Sequence, residues 1–230
     1  MKKTKKIATA FPVLLILLIT ISCTSVAVEP DLAETTSTSK HKVSSRTPSP
    51  IFQNGDIIFQ TSTSSQSKAI QLATHSPYSH VGIIYEQKGD FWVYEAIEPV
   101  QLTPLKTWIK RGKKEKFVVK RLKNASTILT QEVLKKMKAV GEKYMGKHYD
   151  LYFEWSDDNI YCSELVWKIY KEAVGVELGK LELLENFDLT NDVVQRKLQE
   201  RYQGKIPLNE KVISPATIFE SNQLITVEIP

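Results

Sequence analysis

Cysteine and histidine are scarce in this chain: 230 residues carry two cysteines and four histidines, His41, His75, His80 and His148. The two cysteines, Cys23 and Cys162, stand alone, with no C-x-x-C or H-E-x-x-H spacing anywhere. A zinc site needs a set of such ligands at short spacing, so no metal or other cofactor is expected. Internal repeats are missing too, which excludes solenoids and propellers. A long spanning segment is also lacking. The one extended apolar run, from about Ile7 to Ile21, falls short of the roughly 20 residues that cross a bilayer.

What precedes and follows that run gives it a different meaning. Lys2, Lys3, Lys5 and Lys6 form a basic start, and Ser22-Cys23 ends the run, the arrangement of an export signal over residues 1–22. The small residue before cysteine resembles a bacterial lipobox, with Thr20 departing from the usual leucine. That resemblance implies lipidation of Cys23 and an exported lipoprotein of a cell envelope, with plain secretion or an uncleaved anchor as alternatives. The charge balance changes accordingly. Residues 1–22 hold four of the 31 basic residues and none of the 26 acidic ones, so removing them leaves 27 against 26. A nucleic-acid footprint needs clustered basic charge, and the run Lys110-Arg111-Gly112-Lys113-Lys114 reads as a solvated loop, so no nucleic-acid partner is expected. With Cys23 lipidated, Cys162 is the sole free thiol; otherwise a Cys23–Cys162 disulfide is open in an oxidising compartment.

Residues 23–50 are rich in Ser, Thr and Pro with little to bury, the composition of a disordered tether. Such a coil spans on the order of 30 Å. Residues 51–230 suit one domain with its own core, and a monomer is expected. Ile57-Ile58-Phe59, His80–Tyr85, Phe91–Ala96, Phe117–Val119 and Leu224–Val227 read as strands. Helices are expected after Ser65 as N-cap, from Thr103-Pro104 to Trp108, over 131–145, from Cys162, over 191–202 and after Ser214-Pro215. Strands grouped early with helices around them indicate an α+β class.

His80 opens the strand HVGIIY, and Glu95 lies on its partner FWVYEA. With Gln87-Lys88 as the hairpin loop the two residues are directly opposed, about 5 Å apart at Cβ. With Lys88-Gly89, the better turn chemistry, they are diagonal neighbours on one face. Glu95 either orients the imidazole and stabilises its protonated form or makes an ordinary cross-strand pair. Cys162 begins the helix IYCSELVWKIY, whose apolar positions Leu165, Val166, Ile169 and Ala173 form one face, with Asp157, Asp158 and Asn159 upstream as capping candidates. Free N–H groups at a helix start lower a thiol pKa and favour an oxyanion. Cys162 is therefore a nucleophile, or it packs as a small apolar residue.

The ordered set NGDIIFQ, SPYSHVGIIY, VYEA, HYDLYFEWSDDNIYCSELVWKIY and SPATIFESNQL resembles the YiiX/YebB-like hydrolases. These are the circularly permuted branch of the NlpC-type, papain-fold cysteine peptidases. The resemblance implies an antiparallel sheet or partial barrel packed on the cysteine helix. It also implies Cys162 as nucleophile, His80 as base and Glu95 as the group that orients His80. Tyr78, Tyr149 and Tyr161 flank these motifs as pocket or oxyanion candidates, or as packing aromatics. The expected activity is amide cleavage through a thioester, with peptide or muropeptide-like stem peptides as the substrate and a lipid anchor holding the enzyme to its membrane. Lipid ester hydrolysis or acyl transfer is the second expectation, and a non-catalytic lipoprotein the third. An apolar groove at Cys162 favours the ester; a polar cleft with a carboxylate-binding cation favours the peptide.

Overall fold

The computed structural model describes residues 51–229; the signal, Cys23 and the tether lie outside the described residues. In chain order the elements are β1 (Ile57–Gln60), α1 (Ser67–Ala73), β2 (His80–Gln87), β3 (Asp90–Glu95), β4 (Gln101–Pro104), α2 (Leu105–Arg111), β5 (Phe117–Leu122), α3 (Ala125–Ile128), α4 (Gln131–Glu142), α5 (Cys162–Ile169), β6 (Glu182–Leu183), α6 (Asp192–Tyr202), β7 (Lys211–Val212), α7 (Pro215–Phe219) and β8 (Leu224–Val227). Six strands form an open antiparallel sheet in the order β4-β3-β2-β1-β5-β8, and β6 pairs with β7 in a small second sheet. The class is α+β, with the sheet open rather than closed into a barrel.

β1 is central and reads IIFQ without polar alternation because both faces of the sheet are covered. Ile57, Phe59, Val81, Ile83 and Tyr94 point into the main core, shared with Leu165, Val166 and Ile169 of α5. Ile58, Ile84, Val93 and Val119 lie on the other face, under Leu105 and Trp108 of α2.

Four local expectations are corrected. The first helix is capped at Gln66, not Ser65, and without a side-chain bond. Thr103 and Pro104 belong to β4, so the helix starts at Leu105. In the basic run Lys110, Lys113 and Lys114 are exposed as expected, but Arg111 ends α2 and turns its guanidinium onto buried Glu95. Finally, the polar side of amphipathic α5 does not face solvent: all eight of its residues are buried, because α4 and α7 cover sides that the sheet leaves open.

Candidate active site

The hairpin turns on Lys88 and Gly89, both with positive φ (+54° and +85°), the backbone of a two-residue type I′ turn. This register makes His80 and Glu95 diagonal neighbours, with Glu95 beside Gly82. Glycine is required there. A Cβ on Gly82 would come within 2.4 Å of Val93 Cγ1 and 2.9 Å of the Tyr94 carbonyl. The space it leaves lets His80 Nε2 meet Glu95 Oε2 at 2.6 Å.

Sequence reasoning missed the groups that hold this pair. Thr103 Oγ1 donates to Glu95 Oε1 at 2.6 Å, and Arg111 donates to Oε2 at 2.5 Å. Trp108 stacks on the imidazole, with centroids 5.8 Å apart and planes 25° from parallel. The only sequence signal for them was Thr103, at even spacing along a strand next to VYEA. Burial pushes the Glu95 carboxyl up, but the bonds and charges of His80 and Arg111 outweigh it and hold the group at about 2.

With Nε2 on Glu95, the other ring nitrogen is left for Cys162, and the thiol and the imidazole each shift the other's protonation. Cys162 is the first residue of α5 and is buried. Burial pushes its thiol up. The His80 bond and charge, with the backbone N–H groups of Val81 and Ser163, bring it below the ordinary thiol value. Burial likewise pushes His80 down, and its bonds to Cys162 and Glu95 raise it to about 9. Both shifts move the pair toward thiolate and imidazolium.

The helix start is held by its own third residue. Glu164 reaches back to the Tyr161 N–H at 3.4 Å, the half of a capping box that a glutamate supplies. Asp157, expected as a cap, binds Lys168 at 2.7 Å instead.

The three tyrosines separate. Tyr149 sits in a short parallel bridge to Ile160, two residues before Cys162; it lines the same cavity as the thiol, and its hydroxyl accepts from Gln66 Nε2 at 2.9 Å. Tyr161 is buried and edge-on to Phe153, with its oxygen accepting the Ile213 N–H at 3.1 Å. Tyr78 packs between Phe59 and Phe219 and lines neither cavity at the site.

Two cavities meet here. One opens on Cys162 and is walled by Ile70, Phe153, Leu184, Phe187, Val194 and Leu198. The other opens on His80 and is richer in polar side chains, among them Ser79, Glu98, Arg111 and Glu200. Gln66, Tyr149, Lys197 and Arg201 border both.

Residues 51–228 match the family described as permuted papain-like amidase enzyme, YaeF/YiiX, C92 family. The protein YiiX of Escherichia coli strain K12 is 50% identical over 175 residues, covering 76% of this chain and 85% of that protein. A solved structure described as metalloprotein YiiX from Escherichia coli O157:H7 is also 50% identical, with a TM-score of 0.74 over 77% of this chain and 97% of that one.

Proposed function

The chain belongs to the permuted papain-like amidase family, and from that premise we propose that it is a cysteine hydrolase opening an amide between an apolar acyl group and a polar amine. The observation that carries this reading is the buried His80–Glu95 pair together with buried Cys162 at the start of α5, whose thiol lines an apolar cavity. The Cys162 thiolate attacks the carbonyl carbon, and the C–S bond forms as the carbonyl electrons move to oxygen. The Cys162 backbone N–H and the Tyr149 hydroxyl donate to that oxyanion. Its collapse breaks the C–N bond as imidazolium His80 protonates the departing amine. Neutral His80 then takes a proton from water, the hydroxide attacks the thioester, and the thiolate leaves. Glu95 keeps the ring oriented and offsets its positive charge.

The apolar cavity suits an acyl chain more than a stem peptide, and the polar cleft on the His80 side suits an amine leaving group. An ester of the same acyl group is the second reading, favoured by that same apolar wall. The test is a panel of N-acyl amides, matching esters and muropeptides, with intact-mass detection of an acyl adduct on Cys162. Turnover of the N-acyl amides, absent in Cys162→Ala and His80→Ala, supports the amide reading; turnover of the esters alone supports the second. A folded wild type that turns over none of the panel defeats both.

One solved relative is described as a metalloprotein, and that description is of that protein; among the described residues no group of three or more His, Cys, Asp or Glu side chains is placed to hold a metal ion. In the same reading, residues 1–50 export and tether the enzyme at the envelope through lipidated Cys23; its support is the basic start, the apolar run and Ser22-Cys23. Metabolic labelling with a fatty-acid analogue, lost in Cys23→Ser, is the check.

A further inference from the structure

Tyr149 is one end of a hydrogen-bond chain that begins 52 residues away on α6. Arg201 Nη2 donates to Gln66 Oε1 at 2.7 Å, and Gln66 Nε2 donates to the Tyr149 hydroxyl oxygen at 2.9 Å. Tyr149 and Cys162 line one cavity, brought together by the bridge of Tyr149 to Ile160. We propose that Arg201 and Gln66 are positioning residues that fix the direction of this chain, so that Tyr149 donates its only hydrogen to Cys162 and to the oxyanion. The inference rests on the cysteine-hydrolase reading and names how that site's oxyanion donor is oriented.

The argument is one of donor inventory. A guanidinium has donors only, so the group facing it must be the Gln66 carbonyl oxygen. That leaves the Gln66 NH₂ toward Tyr149, and an NH₂ donates only, so the tyrosine oxygen accepts there. The remaining hydrogen on that oxygen has the thiolate as its acceptor. A flipped Gln66 would set NH₂ against guanidinium and would draw the tyrosine hydrogen away from sulfur. Arg201 is held for this task by its guanidinium lying over the Phe153 ring at 4.7 Å. Among the described residues it forms no ion pair within 4.0 Å. Burial and the nearby thiolate keep the Tyr149 hydroxyl protonated, as a donor must be.

The test replaces the amide by an acceptor. In Gln66→Glu the carboxylate accepts from both neighbours and turns the tyrosine hydrogen away from sulfur. The readout is the pH profile of Cys162 alkylation by iodoacetamide, resolved at the peptide level by mass spectrometry, and it needs no substrate. The alkylation midpoint should rise by about one pH unit, the shift for losing one hydrogen bond to a charged group. In a Tyr149→Phe background the same substitution should add nothing. An unmoved midpoint overturns the proposal. So does a rise of equal size in the Tyr149→Phe background, which would mean that the new charge acts by itself. Arg201→Met carries the test without adding charge, and serves if Gln66→Glu does not fold. It should shift the profile in the same direction, through Tyr149 only, with rescue by Arg201→Lys; no shift, or one that persists in Tyr149→Phe, again overturns it. Failure of the cysteine-hydrolase reading would show separately, as no turnover of any amide or ester while the alkylation profile stays readable.

Discussion

At Glu95 three donors converge on one fully buried carboxylate, and this sets how the site responds to pH. Its carboxyl is depressed to about 2, so the stability it contributes is present above the ordinary carboxylate range and is lost as pH falls through about 2. His80 is raised to about 9, so its contribution is complete below the ordinary imidazole value and is lost as pH rises through about 9. The imidazolium should therefore persist well past neutrality and give activity an alkaline limb near pH 9. Glu95→Gln should pull that limb back toward the unperturbed imidazole value of about 6.5 and lower kcat by about 10³–10⁴; a pH–rate profile with an unchanged limb would contradict the role. Arg111→Met should act in the same direction but by about tenfold only, since this side chain is 37% exposed and its charge is screened by water. Treatment with a chelator should leave kcat unchanged, because the chemistry described uses no metal. Loss of activity restored by one divalent ion would show that a metal takes part.

At the scale of elements, the β2–β3 hairpin was legible because β-branched and aromatic runs flank a short turn, and Lys88-Gly89 offers the backbone a type I′ turn needs. What sits around it was not. Thr103, Trp108 and Arg111 come from β4 and α2, and only the folding of α2 across the sheet face turns them toward His80. The same holds for α5. Its spacing announced one apolar face, but Ser163, Glu164 and Lys168 are buried as well, with polar partners that the spacing does not show. Ser163 donates to the Ile213 carbonyl at 2.7 Å, and Lys168 pairs with Glu164 at 2.8 Å. Composition and period carry burial patterns but not the long-range partners that make polar burial tolerable. Gly82 tests the hairpin itself. An alanine there must displace Val93 and the Tyr94 backbone, which should cost about 1–3 kcal/mol of stability and separate His80 from Glu95. Urea unfolding should show the lower midpoint, and the alkaline limb of the pH profile should shift toward that of Glu95→Gln. A variant with unchanged midpoint and profile would mean that the sheet absorbs the methyl group without moving the pair.

The whole molecule places the thiol where an apolar cavity and a polar cleft meet, and the two walls have different origins. The apolar wall is assembled from α1, α6 and the segments around β6 and β7, elements separated by more than a hundred residues of sequence. The polar wall comes from the loop before α1, the hairpin end and Arg111. That division makes the acyl side of the substrate a matter of buried area. Each added methylene that enters an apolar wall is worth about 0.8 kcal/mol, or about fourfold in binding. In a series of N-acyl amides sharing one amine, kcat/KM should thus climb by up to about fourfold per methylene, then level off once the apolar cavity is filled. Ile70→Trp narrows the cavity from a partly buried position on α1. It should move the plateau to shorter chains and invert the preference between long and short acyl groups, with the alkylation rate of Cys162 as the control that the thiol itself is intact. A flat chain-length series in wild type, or a plateau that Ile70→Trp does not move, would place the acyl group elsewhere and leave the polar cleft as the surface that selects the substrate.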